Sequence, residues 1–360
     1  MQAEMQKSSL EKTARNWNYD AIRLIAGLFV IMVHVADMNY LRADVGSVNW
    51  WIHNIYSSAI RCCVPLFVRV SGVFFLDPRR ECAIPELFKR NIFKMARLCV
   101  FWAVFYQICN IVSAVAGGRT NEITIKWLFD GVVFSKYHLW FLPMICGLYL
   151  VTPILRKITG DRSCMEYLLA LSFVFSSVLP MLADFPWGGG YIQHWINWVS
   201  VQAVMGFSGF FVLGYYLNEY PVAPRVRKVI FLCGVIGALV VTPVGTWIAS
   251  SMAGKTTQVF YDYQYPATWA AAAAVFLMMK DWSERHSVPQ WAQALVRWCS
   301  KRGLGIYLIH VIFVELFRAA GCPYTWPALM IPVTTLLVYV ASAAVVYLLE
   351  HCPILKNIAL

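Results

Sequence analysis

Long apolar runs recur from one end of this chain to the other and restrict its possible folds more than any other feature. A membrane-spanning helix needs about 20 mostly apolar residues. Ten runs are predicted to be such helices: 21–38, 55–76, 92–116, 138–155, 166–183, 198–217, 229–249, 266–279, 303–319 and 328–349. Since they leave no room for a sizeable soluble domain, the predicted fold is all-α, a polytopic integral membrane protein with about ten transmembrane helices.

The overall composition favours the same class. Hydrophobic residues make up 59% of the 360 residues and charged residues only 14%, whereas about a quarter of the residues are charged in soluble domains. The first twenty residues are polar, and no short apolar run with a cleavage site precedes the first long one. No cleavable signal peptide is therefore expected, and the first apolar run is predicted to be a permanent span.

The distribution of positive charge predicts the orientation in the membrane. If the N-terminus lies in the cytoplasm and the spans alternate, the inside receives 22 of the 30 lysines and arginines and the outside loops receive five. This asymmetry is what the positive-inside rule requires. Both termini are predicted to be cytoplasmic, with a tail at 1–18, a transmembrane domain at 19–350 and a second tail at 351–360. The net charge of +11 is attributed to these loops, and no nucleic-acid partner is expected.

The eleven cysteines do not suggest a disulfide framework or a metal site. Most lie inside apolar runs, and the sequence has no CxxC pair or Cys/His cluster at zinc spacing. We interpret them as small buried hydrophobic residues. No bound metal is expected.

The first span, "RLIAGLFVIMVH", carries an arginine and a histidine at its two ends, Arg23 and His34. Eleven residues correspond to about 16 Å of helix and about three full turns, so the two side chains share a face. Asp20 and Asp37 extend the same stripe. Arg23 alone is compatible with a snorkelling anchor and His34 with a helix-packing residue, but ionisable residues within a membrane are functional candidates.

The second span contains two further arginines in the stretch "RCCVPLFVRVSGVFFL". Arg61 is predicted near the outer boundary, and Arg69 lies at a depth where a cation needs a partner or an aqueous cavity. Ser71 and Gly72 are explained by close helix packing if they are considered alone.

Two later spans add histidines. The fourth span begins with His138 and Trp140, and the ninth contains His310 in "GIYLIH". Trp140 alone is an ordinary residue of the interfacial aromatic belt. Several histidines and arginines on different spans are nevertheless expected to converge on one cavity, because isolated charges are costly in a membrane.

These motifs resemble the acyltransferase 3 family of bacterial inner-membrane acyltransferases, and the resemblance covers nearly the whole chain. It is closest in size to the stand-alone, single-domain members. The matching elements are the Arg-x10-His of the first span (Arg23, His34), "PLFVRVSG" (65–72), "HLWFLP" (138–143) and "GIYLIH" (305–310).

The resemblance implies an O-acetyltransferase of the bacterial inner membrane with a cytoplasmic acyl-CoA donor, acetyl-CoA by default, and a carbohydrate acceptor. Membrane lipid is a further expected partner. It also implies that His34 is required for transfer and that Arg23 is the paired basic residue. The chain departs from the family pattern at Lys94-Met-Ala-Arg97, where an Arg-x-x-Arg pair is typical, and at Arg69, where an apolar residue is expected.

The candidate site residues fall into three groups by expected role. The catalytic candidates are His34, Arg23 and Asp37. The donor-binding candidates are Arg23, Arg90, Lys94, Arg97, Arg69 and Ser71, because guanidinium groups bind phosphate in bidentate fashion. The acceptor-binding candidates are His138, Trp140 and His310.

The chemistry of acyl transfer leaves two roles open for the histidine. His34 either removes the proton of the acceptor hydroxyl as a general base or attacks the thioester itself and forms an acyl-imidazole. Asp37, one turn away, is a candidate to orient the imidazole. A proton-coupled secondary transporter or a lipid-linked sugar flippase is the alternative function, since ten spans with buried arginine and histidine also suit transport.

Overall fold

The structure is a computed structural model that describes residues 17–185, 188–199, 201, 204–321 and 326–360. These ranges fold into α-helices joined by short connections, and they contain no β-strand. Seven of the helical segments are long and apolar enough to cross a membrane. The described part of the chain is therefore all-helical with seven candidate membrane spans, whereas the count of ten spans and the orientation of the termini stay predictions.

We number the helices α1 to α14 in chain order. Their bounds are α1 Trp17–Tyr40, α2 Val48–Ala59, α3 Cys63–Phe75, α4 Ile84–Ala116, α5 Ile125–Val133, α6 Phe141–Ile158, α7 Arg162–Ala183, α8 Gly189–Val199, α9 Ser208–Glu219, α10 Pro224–Ala253, α11 Pro266–Arg285, α12 Gln290–Ala319, α13 Pro327–Glu350 and α14 Pro353–Ala359. Single π-helical turns lie within α4, α7 and α10, at Phe88–Ile92, Val174–Val178 and Gly237–Val241.

Helix α1 lies at the centre of the bundle. It packs against α2, α3, α11, α12 and α13. Its residues Ile22, Ala26, Val35 and Ala36 are almost completely buried. The helix that carries both Arg23 and His34 is thus surrounded by protein, which removes those side chains from direct contact with lipid.

Helices α3 and α9 approach each other unusually closely through two glycines. A Cβ on Gly72 would lie 1.8 Å from the carbonyl oxygen of Phe211, and a Cβ on Gly214 would lie 2.1 Å from that of Arg69. Any larger residue at either position would force the two backbones apart. Gly72 therefore has the packing role that the Ser-Gly pair suggests, and it sets the position of the neighbouring Ser71.

Several predicted spans differ from the observed helices. The second consists of two helices, α2 and α3, separated by a turn at residues 60–62. The sixth predicted span, 198–217, crosses the end of α8 at Val199 and the start of α9 at Ser208. Gly206, with φ +73°, lies between those helices in a conformation that ends an α-helix.

The eighth and ninth predicted spans are helical but are not among the seven apolar ones. Helix α11 includes Lys280 and Asp281, and α12 includes Arg302, Glu315 and Arg318. These charges lower the hydropathy of each helix over the length that a membrane span needs.

The structure describes the second predicted terminal tail but only residues 17 and 18 of the first. Residues 1–16 of the first tail lie outside the described residues. The second tail, 351–360, contains α14, which packs against α4 and α13. The indole Nε1 of Trp102 donates a hydrogen bond to the carbonyl oxygen of Ala359 at 3.0 Å, so the end of the chain is attached to the bundle.

Candidate functional site

One cavity of about 290 Å³ connects the two ends of the Arg23–His34 stripe. Both side chains line it, together with residues of α3, α4, α6 and α12. Because the two Cα atoms are eleven helical residues apart, the cavity follows α1 over about 16 Å. The long spacing in the sequence is therefore the length of an internal cavity.

Three histidines from distant parts of the chain meet at one end of this cavity, where His34 and His138 line it and His310 packs against them. His34 lies on α1, His138 in the turn before α6, and His310 on α12. The ring of His310 stacks on that of His34, with centroids 5.3 Å apart and an interplanar angle of 29°. The same ring meets His138 edge-on at 5.3 Å. The three imidazoles thus form one cluster.

Backbone carbonyl groups fix the orientation of this cluster. The Nδ1 of His310 lies 2.6 Å from the carbonyl oxygen of Tyr307, and because a carbonyl oxygen can only accept, Nδ1 carries the proton. In the neutral ring Nε2 is then the nitrogen without a proton, and it has no hydrogen-bond partner in the described part of the chain. The hydroxyl of Tyr307 donates to the carbonyl oxygen of His138, which ties the turn before α6 to α12.

Tyrosines enclose the histidine cluster. Tyr137 packs on the ring of His34 at 5.1 Å, and Tyr106 meets His138 edge-on at 5.1 Å. The hydroxyl of Tyr106 donates to the carbonyl oxygen of Leu308 at 2.7 Å. The histidine end of the cavity is therefore a confined site with aromatic walls.

Polar side chains gather at the opposite end, around Arg23. Asp20 is fully buried and lies 3.5 Å from the Nη1 of Arg23. The hydroxyl of Ser300, on α12, donates to the same carboxylate oxygen of Asp20 at 2.8 Å. Ser300 and its neighbour Lys301 both line the cavity. This end therefore holds two cations, Arg23 and Lys301, against the one carboxylate of Asp20, and the remaining positive charge suits an anionic ligand.

Two further predicted site residues also line the cavity. Ser71 does so while its hydroxyl donates to the carbonyl oxygen of Phe67 at 2.9 Å. Trp140 lies between the rings of Phe207 and Tyr263, each with its centroid 5.7 Å away. Burial raises the pKa of Tyr263, which lies in the connection before α11, so its hydroxyl stays protonated and able to donate.

Arg69 points away from the cavity. It is fully buried, its Nη2 donates to the carbonyl oxygen of Trp269 at 2.8 Å, and its guanidinium lies 5.4 Å from the ring of Phe210. These contacts lie on α9 and α11. The expectation that Arg69 contacts the donor therefore has no geometric support here.

Asp37 likewise has other partners than the imidazole of His34. It accepts a hydrogen bond from the Ser57 hydroxyl at 3.3 Å and lies 3.5 Å from the Nη2 of Arg61. The guanidinium of Arg61 in turn stacks over the ring of Tyr261 at 4.4 Å. Asp37 thus neutralises the buried arginine, which explains how Arg61 is tolerated at this depth.

The three basic candidates on α4 do not line the cavity. Met95, between Lys94 and Arg97, is the α4 residue that reaches it. Arg90 forms an ion pair with Glu86 at 2.8 Å and lines a separate cavity of about 290 Å³, together with Arg80 and Arg156. Phe75 borders both cavities, so the two spaces are neighbours.

Sequence reasoning missed several residues of the cavity. Ser300 and Lys301 lie just before the predicted ninth span, 303–319, and were not among the candidates, although they precede the "GIYLIH" stretch by one helical turn. Tyr307 lies within that stretch, one turn before His310, and this spacing was a usable signal. Tyr263 lies in an irregular connection without any periodicity, so nothing local indicated its position. Among the described residues, no group of His, Cys, Asp or Glu is arranged to hold a metal ion.

Comparison with known proteins gives a family match over most of the chain. A family model described as "Acyltransferase domain" matches residues 16–351. A curated protein named "Amino-acid racemase", from Enterococcus faecalis, is 22% identical over 320 residues, which is 83% of this chain and 41% of that protein. The chain thus spans about two fifths of the length of that relative. No solved structure matches significantly.

Proposed function

The chain belongs to the acyltransferase 3 family, and on that premise we propose that it transfers an acetyl group from cytoplasmic acetyl-CoA to a carbohydrate hydroxyl. The coarser conclusion, a membrane acyltransferase, follows from the family match and the seven apolar helices. The proposal adds acetyl-CoA as the donor, a cell-surface or lipid-linked glycan as the acceptor, and the bacterial inner membrane as the location.

One observation carries the proposal: Arg23 and His34 line the same cavity at opposite ends. Acyl-CoA is a long molecule with phosphates at one end and a thioester at the other. An extended pantetheine arm matches a path of about 16 Å. Arg23 with Lys301 is suited to the anionic end, and the histidine cluster is suited to the thioester.

Two reaction routes are compatible with this arrangement. In the first, a ring nitrogen of His34 takes the proton of the acceptor hydroxyl, the oxygen attacks the thioester carbon, and the C–S bond breaks to release CoA thiolate. In the second, a ring nitrogen of His34 attacks the thioester carbon, the C–S bond breaks to release the thiolate, and an acyl-imidazole forms. The acceptor oxygen then attacks the acyl carbon, and the bond from that carbon to the ring nitrogen breaks. In both routes the thiolate finally takes up the proton that the acceptor hydroxyl loses.

The acceptor is proposed to enter beside Trp140. This ring and that of Tyr263 border the cavity next to the histidines, and aromatic faces are suitable surfaces for the apolar face of a sugar ring. His138 also lines this end, whereas His310 is fully buried and packs against His34 and His138 without lining the cavity. With both termini in the cytoplasm, this end of the cavity lies toward the outer side of the membrane.

The deciding experiment follows the acyl group. Purified protein is incubated with acetyl-CoA that carries a radiolabelled acetyl group, and with lipid-linked or surface glycans as acceptors. Label in the glycan supports the proposal. A thiol reagent is unsuitable for detecting released CoA, because the chain has 11 cysteines of its own. A transporter or flippase would move substrate without consuming the thioester, so an intact thioester with every acceptor would contradict the proposal.

A further inference from the structure

A second, larger space lies on a different part of the molecule. A groove of about 820 Å³ runs between α10 and α11. On α10 it is lined at one-turn intervals by Pro224, Lys228 and Phe231 with their neighbours. The facing stripe of α11 runs from Ala274 through Met278 to Arg285. None of these residues borders the Arg23–His34 cavity.

The groove begins where close helix packing ends. In the middle of the pair, a Cβ on Gly237 would lie 3.0 Å from Ala267, and one on Gly234 would lie 3.0 Å from the methyl group of Ala274. These small residues allow the helices to touch. From Phe231 back to Pro224, large side chains replace the glycines, and the groove follows that part of the helices.

The groove is apolar at one end and basic at the other. Phe231, Leu232 and Met278 are exposed at the apolar end. Arg227 and Asp281 form an ion pair across it, which leaves Lys228 and Arg285 at the basic end. Neither of these two cations has an acidic partner within ion-pair distance in the described ranges.

We propose that this groove binds one anionic phospholipid, with its phosphate at Lys228 and Arg285 and its acyl chains along Phe231, Leu232 and Met278. A phospholipid combines the two properties that the groove presents, a phosphate group and a long apolar part. Basic pockets between membrane helices on the cytoplasmic side attract anionic headgroups. Only 28% of the residues in the most apolar stretch of α10 are buried, so this helix keeps a large apolar surface that the protein does not cover.

The same groove is connected to the central helix through one aromatic contact. Trp282, which lines the groove, meets Trp17 edge-on at 5.8 Å, and Trp17 is the first residue of α1. The ring of His286 also stacks on Trp282, with centroids 5.2 Å apart. A lipid held against Trp282 is thus expected to stabilise the start of α1 and to raise the melting temperature.

The test is native mass spectrometry of the purified full chain with added phosphatidylglycerol or phosphatidylcholine of identical acyl chains. The wild type is expected to retain one phosphatidylglycerol in preference to phosphatidylcholine. The double variant Lys228→Gln/Arg285→Gln should bind phosphatidylglycerol about 25-fold more weakly, about fivefold for each cation. Phosphatidylglycerol should raise the melting temperature of the wild type and leave that of the double variant unchanged.

A matched control separates a site from general surface charge. Lys157→Gln/Arg297→Gln removes two exposed cations elsewhere and should leave the binding unchanged. Equal loss in the control, or full binding by the double variant, would overturn the proposal. Displacement of the lipid by glycerol phosphate at the same concentration would also overturn the proposal, because the groove would then recognise the phosphate group alone. Leu232→Trp, which fills the apolar end, should weaken the binding of both lipids. The outcome does not depend on acyl transfer.

Discussion

The imidazole rings of His34 and His310 are stacked 5.3 Å apart at an angle of 29°, although they come from the first and the twelfth helix. His310 is held by its Nδ1–H bond to the carbonyl oxygen of Tyr307. The orientation of the His34 ring therefore depends on the position of α12. The orientation of the proposed catalytic residue depends on a partner that is remote in sequence.

Replacing His34 by alanine should abolish acyl transfer and leave donor binding intact. The loss of a general base costs about 10²–10⁴-fold in rate, and the loss of a nucleophile costs at least as much. Donor affinity is supplied at the other end of the cavity, about 16 Å away. The measurement is turnover with radiolabelled acetyl-CoA, alongside equilibrium binding of acetyl-CoA.

Arg23→Ala provides the opposite pattern for comparison. It should weaken donor binding and keep measurable turnover at saturating acetyl-CoA. Near-normal turnover in His34→Ala would mean that this histidine only packs against its neighbours, and the proposed mechanism would be wrong.

Replacing His310 tests the stack itself. His310→Ala should lower kcat by about 10-fold or more without raising the KM for acetyl-CoA, because the imidazole of His34 loses the surface that orients it. His310→Phe keeps a ring at this position and should retain more activity than the alanine variant. His351→Ala, at an exposed histidine that lines neither the cavity nor the groove, is the control and should not alter kcat. Unchanged kcat in His310→Ala would contradict an orienting role.

The donor end can be located by comparing three basic residues. Lys301→Ala removes a cation that lines the cavity, and Lys94→Ala and Arg97→Ala remove cations on α4 beside it. Lys301→Ala is expected to raise the KM for acetyl-CoA at constant kcat, because a hydrogen bond to a charged group contributes about 1.5–3 kcal/mol. Lys94 and Arg97 do not line the cavity, so their replacement raises the KM only through phosphates that extend beyond it. Unchanged KM in all three variants would move the phosphates to the neighbouring cavity of Arg80, Arg90 and Arg156.

The topology is testable with single cysteines. Both termini and the loops near residues 85, 160, 225 and 290 are expected to face the cytoplasm. In a chain that keeps only Cys164, which is exposed, a membrane-impermeant maleimide should react in inside-out vesicles and not in intact cells. A cysteine introduced by Arg119→Cys should behave in the opposite way. Labelling of Cys164 from outside intact cells would show that the orientation is wrong.

Local features of the sequence were sufficient for the class of the fold and for the main axis of the site. Long apolar runs with few charges require helices in a membrane, because each helix satisfies its own backbone hydrogen bonds. The spacing of Arg23 and His34 along one helix is likewise local, since a helix has a constant rise per residue. The membrane class and the stripe on α1 could therefore be predicted without a structure.

Which side chains face each other was decided by the tertiary structure alone. His34, His138 and His310 were each candidates, but their meeting depends on how α12 and the turn before α6 pack around α1. The same packing turned Asp37 toward Arg61 and Arg69 toward Trp269. It also brought Ser300 to the carboxylate of Asp20. A helical pattern specifies which residues share a face, whereas the neighbour of that face is set by contacts between segments that are far apart in the chain.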